Sequence, residues 1–350
     1  MRNVLIFTLL STCVSCAAAA RAGYEYSEYY ADESIEQDAS TDVASTDAIL
    51  PPASDAPLLG DGWGSCCNCD CYDGCDCFNG RRRALGLFLP SDHCFDRFIS
   101  PLSNPFYFED PRSLTEVRGL FFDNALSSVA GGGDAQVFAG QIRGRVTDRA
   151  SIVAQRLGHL QVNIAGDDTP NGFLSAPIGL KYNFLRNVEQ QYLASAGITY
   201  FINGSANAMS NFGDGAFHFF LTGGAQIFEN AHWLSATGFR IPLNNNWGTQ
   251  MWYWSNQWDY ELPNHIYPLA GINWFHFMSS AGIPATPFTS LDIIDLPAFN
   301  VAGTNVVTGL VGFKWKPSAH CELGTGFEFP LTERTDVLKN RVYADLILRY

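Results

Sequence analysis

The chain has 350 residues, a formal net charge of -14 and a mean hydropathy of -0.03, with 47% hydrophobic and 14% aromatic residues. A surface this acidic excludes a nucleic-acid binder built on a basic patch, since Arg81-Arg82-Arg83 stands alone with nothing basic around it. Beyond the N-terminus no run reaches the ~18 apolar residues of a membrane helix; strands, in which only every second residue must be apolar, are not excluded.

Residues 1–22 read as an export signal. Arg2 is followed by the short apolar run Val4 to Leu10, and Ala18-x-Ala20 and Ala20-x-Ala22 suit a signal peptidase. A short anchor helix is the alternative, but the run is too short for a bilayer of ~30 Å. Lipidation at Cys13 fits poorly, because Thr12 stands where a small residue is expected.

Residues 23–80 carry thirteen Asp or Glu and no Lys or Arg, whereas 81–350 hold 19 basic and 22 acidic residues, a net of -3. The stretch Tyr24 to Asp61 is poor in large aliphatics and is expected to be a disordered acidic linker. Cys66, Cys67, Cys69, Cys71, Cys75 and Cys77 come next, within twelve residues. Their spacing does not match paired C-x-x-C zinc ligands, and export favours disulfides. Soft-metal binding and crosslinking to a partner stay open. Cys94 and Cys321 complete an even set of eight and are candidates to pair. The basic triplet Arg81 to Arg83 suits anionic headgroups.

Residues 81–112, with Pro90, Pro101, Pro105, Pro111 and the run Phe106-Tyr107-Phe108, predict an irregular lead-in packed against or partly inside a barrel formed by residues 113–350. In that region twelve segments of about ten residues succeed one another, near 113–122, 134–146, 150–162, 174–185, 192–202, 216–228, 232–241, 248–258, 265–276, 304–315, 319–329 and 340–350. In the fourth, Ala176, Ile178, Leu180, Tyr182 and Phe184 oppose Lys181 and Asn183. In the tenth, Val307, Gly309, Val311, Phe313 and Trp315 oppose Thr308 and Lys314. In the eleventh, Cys321, Leu323, Thr325, Phe327 and Phe329 oppose His320, Glu322 and Glu328. The third, seventh and eighth alternate poorly. An even strand count brings both ends of the region to one side and puts the long connections 203–215 and 277–303 together on the other.

The last segment alternates strictly. Val342, Ala344, Leu346, Leu348 and Tyr350 make an apolar face, against Arg341, Tyr343, Asp345, Ile347 and Arg349. Ending on an aromatic strand resembles bacterial outer-membrane β-barrel proteins. That resemblance implies an all-β antiparallel transmembrane barrel over 113–350, outer-membrane lipid as surroundings, and Tyr350 as a signal to the barrel assembly machinery. The segments Ser91-Asp92-His93-Cys94-Phe95-Asp96, Phe106-Tyr107-Phe108-Glu109-Asp110-Pro111-Arg112 and Gly326-Phe327-Glu328-Phe329-Pro330 are similar to porin-like transporter barrels of Planctomycetes and relatives, a likeness that implies location more than activity.

Alternation places Glu116, Arg118, Gln141, Arg143, Arg145, Lys181, Glu322, Glu328, Asp345 and Arg349 on inward faces, as pore-lining candidates. Opposed acids and bases would orient solutes in a narrow passive pore; alternatively the charges pair and plug the barrel. Near-neutrality over 81–350 predicts no strong ion preference from bulk charge, leaving selectivity to local rings. Trp252, Trp254 and Trp258 share a face near Trp233, Trp247 and Trp274, which predicts an interfacial girdle, with a sugar-stacking platform as the alternative.

No enzyme motif is present: G-x-S-x-G, H-E-x-x-H, the P-loop and the dinucleotide fingerprint are missing. A twelve-stranded outer-membrane phospholipase family places Ser two residues after His, and none of His93, His159, His218, His232, His265, His276 and His320 has it. The expectation is a non-enzymatic barrel without cofactor, metal or nucleic acid: a narrow pore for small solutes, or else a structural envelope protein tethered by its tail, or a secreted soluble β-protein.

Overall fold

The structure, a computed structural model, describes residues 83–164, 171–202, 214–283, 286–293 and 296–350. The export leader, the acidic stretch and the six clustered cysteines lie outside these residues.

Twelve long strands close into an antiparallel barrel. They are β1 (Glu116–Leu126), β2 (Asp134–Arg145), β3 (Ala150–Asn163), β5 (Ala176–Asn187), β6 (Tyr192–Ile202), β7 (Ala216–Phe228), β8 (Ala231–Pro242), β9 (Met251–Tyr260), β10 (Ile266–Phe277), β11 (Asn305–Ser318), β12 (Cys321–Pro330) and β13 (Leu338–Arg349). The two-residue β4 (Gly172–Phe173) pairs only with β3. Closure is made by β1, which pairs with β2 on one side and with β13 on the other, Val117 facing both Ile142 and Leu348. A closed sheet has no free edge, and strand pairing satisfies backbone amides within the wall, as lipid requires of a spanning structure; β3 and β5 pair over only five residues, Ala150–Ala154 with Ile178–Tyr182.

The expected twelve segments coincide with these strands to within a few residues. The connections 146–149, 188–191, 229–230, 261–265 and 319–320 are short and lie at one end. The strands joined by the longer connections, among them β6 to β7 and β10 to β11, meet those connections at the other end. Residues Glu116 and Arg349 pair at the short-turn end, so the region starts and finishes there.

The third segment alternates poorly for a local reason. Between the pairs Gly140–Leu157 and Ile142–Ala154, Gln155 and Arg156 together oppose Gln141. This is a β-bulge, and Arg156 takes the left-handed conformation at φ 56°. Two consecutive side chains, Gln155 and Arg156, thereby turn into the interior, and both are buried.

Candidate functional site

The two faces of the wall differ as the alternation requires. Leu180, Val311, Phe313 and Leu348 are more than half exposed on the outside, members of an apolar band of a size that monomers in water rarely carry. All ten candidate interior residues, Glu116 through Arg349, are buried on the inside.

The space between them is filled by the chain itself. Residues 91–113 enter at the short-turn end, where the Ser91 N–H donates to the Tyr350 carbonyl (2.7 Å) and the Asp92 N–H to that of Ser113 (2.9 Å). Tyr350 is thus held from both sides, its own N–H donating to Thr115 (2.9 Å). The segment runs in past a short 3-10 turn at His93–Phe95, reaches Asn104 to Tyr107 at its deepest, and returns to β1. Every one of the twelve barrel strands gives it at least one side-chain hydrogen bond.

Two kinds of contact hold it. On one side they are charged. Arg143 grips the Glu109 carboxylate through Nε (2.6 Å) and Nη2 (2.9 Å), while Lys181 Nζ (3.0 Å) and Gln155 Nε2 (2.6 Å) approach the same group. Lys181 also donates to the carbonyls of Asp110 (2.6 Å) and Arg112 (2.8 Å), and Arg118 to that of Pro101 (2.8 Å). Burial alone would raise the Glu109 carboxyl; Arg143 and Lys181 outweigh it and hold the group at about 2. Asp110, gripped by Arg112 at 2.7 Å, is likewise held well below the usual carboxylate range against the effect of burial.

On the other side the contacts are mostly neutral, apart from Arg240, which donates to the Tyr107 hydroxyl (3.0 Å), and the segment's Arg97, which meets Glu261 in the turn before β10 at 3.3 Å. The N–H of Leu102 donates to Gln257 (2.9 Å), Asn104 to Ser255 (2.8 Å), and the Tyr253 hydroxyl to the Tyr107 carbonyl (2.8 Å). Phe98 packs on His232 at 4.9 Å between ring centroids, and Tyr107 on His218 at 5.1 Å. Leu102 also meets the charged side of the wall at Gly326 on β12, where a Cβ would fall 2.7 Å from Leu102 Cδ2.

The remaining interior charges pair along the wall. Glu116 bridges Arg143 (2.5 Å) and Arg349 (2.6 Å); Glu322 takes Arg349 (2.6 Å) and Lys314 (3.4 Å); Asp345 takes Lys314 (2.8 Å) and Arg118 (2.6 Å). Gln141 meets Arg118 at 3.3 Å, Glu328 lies 3.5 Å from Arg341, and Arg145 sits apart near the rim with Asp148 (3.1 Å). At the long-loop end the connection after β10 folds back, so that Asp292 meets the interior Arg341 at 2.9 Å. In this structure, therefore, the candidate interior charges are partnered and the lumen is occupied.

Sequence reasoning missed Arg156, which the bulge hides, and Glu109, Asp110 and Asp292, which belong to no strand. Arg341 stands on the polar face of the last segment, whereas Lys316 lies beyond the expected tenth segment and Arg240 in the poorly alternating seventh. Cys94 is half-buried and Cys321 buried; both are present as thiols, and no disulfide joins them. Cys94 stands within the segment, where its carbonyl accepts from Gln191 (3.0 Å), and Cys321 stands at the head of β12.

Among the described residues, five tryptophans gather on one outward stretch of the wall rather than spreading around it. Trp233, Trp252, Trp254, Trp258 and Trp274 line one outward groove of about 910 Å³ along β8 to β10. Their indole N–H groups are turned to the wall: Trp252 donates to Thr237 (2.9 Å), Trp254 to Ser235 (3.0 Å), Trp233 to Asn256 (3.1 Å) and Trp274 to Asn305 (3.0 Å). Among the described residues no group of His, Cys, Asp and Glu is arranged to hold a metal ion.

No protein-family model and no curated protein sequence matches the chain. Among solved structures it is similar to the KdgM porin in complex with disordered oligogalacturonate (8% identity, TM-score 0.42, 67% of this chain and 99% of that one). It is also similar to the NanC porin (6%, TM-score 0.44, 67% and 99%) and to the COG4313 outer membrane channel of Pseudomonas putida F1 (12%, TM-score 0.47, 72% and 100%). At such identities and scores, the closed twelve-stranded barrel rests on the chain's own strand pairing, and function has to be argued from the lumen.

Proposed function

We propose that this protein is an outer-membrane channel for small solutes, held closed at rest by its own residues 91–113. The observation that carries this reading is the chemistry of the contact between segment and wall. The segment is docked by hydrogen bonds and ion pairs from all twelve strands, among the described residues without a disulfide to the wall. Polar wall groups that a departing segment uncovers are rehydrated when water enters behind it, whereas a purely apolar core would resist wetting. Such a wall is compatible with a filled state and a wet one. The apolar outer band supports a lipid surround over a secreted soluble form.

Planar-bilayer recording tests this with two full-length variants. Glu109→Gln with Asp110→Asn removes the carboxylate held by Arg143 and Lys181 together with the segment's own pair to Arg112, and Gly326→Val pushes on Leu102. The unaltered protein is expected to open rarely and both variants often. Silence from variants that insert and show heat-modifiable migration would leave the non-conducting envelope protein as the reading.

A further inference from the structure

Residues 81–350 are close to neutral, but the wall is not. Among the described residues, the barrel strands bury ten Arg and Lys side chains and five Asp and Glu, namely Glu116, Asp259, Glu322, Glu328 and Asp345. A wall without its segment would carry an excess of five positive charges. Part of the missing negative charge is supplied by the segment, whose Asp92, Glu109 and Asp110 are buried against a single buried cation of its own, Arg112.

The contact at Glu109 has the form of a ligand site. Arg143 meets the two carboxylate oxygens in a parallel fork, Nε on Oε1 and Nη2 on Oε2. Lys181 adds a second cation to Oε1, and Gln155 donates to Oε2. These three residues come from β2, β3 and β5, which are neighbours in the closed wall, so the cradle does not depend on the segment for its scaffold. Arg143 is also fixed from behind by Glu116 at 2.5 Å.

Resting on the channel reading, we infer that the open lumen selects anionic solutes bearing carboxylates, and that Glu109 occupies their cradle, formed by Arg143, Lys181 and Gln155, while the protein is closed. Clustered cations facing a lumen with low-dielectric walls raise the local concentration of anions and exclude cations. In the closed protein Glu109 is a tethered anion at the same place. Solute would enter by competing for that cradle.

The test measures reversal potential in a potassium chloride gradient, with citrate as the carboxylate probe and glucose as the neutral control. Two full-length variants each weaken the docking of the segment but change the wall differently. Glu109→Gln with Asp110→Asn keeps all the wall cations; Arg143→Gln with Lys181→Gln removes two. The first should conduct chloride several-fold better than potassium and lose current on adding citrate but not glucose. The second should open with a reversal potential shifted toward cations and be insensitive to citrate. Currents from both variants with the same selectivity, or an open first variant that prefers potassium, would overturn the inference and leave the channel standing. Absence of current from both, in protein that inserts and is heat-modifiable, would overturn the channel reading and this inference with it.

Discussion

The two halves of the barrel wall hold the same segment by different means. Strands β11 to β13 and β1 to β5 carry nine of the ten buried strand cations and four of the five carboxylates. Strands β6 to β10 carry only Arg240 and Asp259, and present Ser195, Thr222, Tyr253, Ser255 and Gln257 instead. Hydrogen bonds to charged groups are worth ~1.5–3 kcal/mol each and neutral ones ~0.5–1.5. The charged half should therefore decide whether the segment stays. The neutral half, whose outer face carries the tryptophan groove, acts as a passive backing. Segment and charged half are also mutually dependent, because a buried charge stripped of its partner costs more than the pair contributes.

The largest expected effect comes from Lys181→Met. It leaves Glu109 with one cation and removes the donor from the Asp110 and Arg112 carbonyls. Breaking a buried pair costs ~3–5 kcal/mol, enough to shift the segment's docking equilibrium more than a hundredfold. Hydrogen exchange over residues 96–112 should accelerate accordingly, and unchanged protection would contradict the division between halves.

Acid sharpens the same comparison. The Glu109 carboxyl lies at about 2 when docked, against an ordinary value of 4.5, so its contribution is fully present above 4.5 and is lost as pH falls toward 2. Asp92 and Asp110 shift in the same direction. Open probability should stay flat from about pH 8 to 5 and rise only below about 4, where carboxylates protonate. Open probability that stays unchanged down to about pH 3 would contradict a grip made through Glu109.

A smaller effect is expected from Gly326→Val, whose added bulk displaces Leu102 at ~1–3 kcal/mol, the usual cost of overpacking. Thermal melting in detergent and conductance should both report it. The smallest is Tyr253→Phe. It deletes the bond to the Tyr107 carbonyl and the contact with His218 Nε2, neutral interactions of ~1 kcal/mol each. Open probability should rise several-fold less than for Lys181→Met. Equal effects from the two would mean that charge is not what holds the segment.

The seventh and eighth segments, which alternate poorly in polarity, show how the filled lumen masks the signal. In β8 the inward residues include Leu234 and Ala236, while Ser235 and Thr237 point outward. In β9 the inward residues are Met251, Tyr253, Ser255, Gln257 and Asp259, and the outward Asn256 is covered by tryptophans. An interior that packs against protein tolerates apolar side chains that water would not, and outward hydroxyls are satisfied by indole N–H groups. The polar-in, apolar-out rule presumes a wet lumen, so it weakens where the segment's rings pack.

Strand number, strand limits, the inward set from Glu116 to Arg349 and the placing of both long connections at one end are legible in the sequence by itself, because side chains on a strand alternate with period two whatever the strand packs against. Three further features were decided only by tertiary structure. The bulge at Gln155 and Arg156 breaks that period locally. The docking of 91–113 depends on contacts with strands up to 249 residues away. The positive excess of the wall emerges only when charges are sorted by where they point, since a near-neutral composition is silent about which carboxylates belong to the wall and which to the segment that fills it.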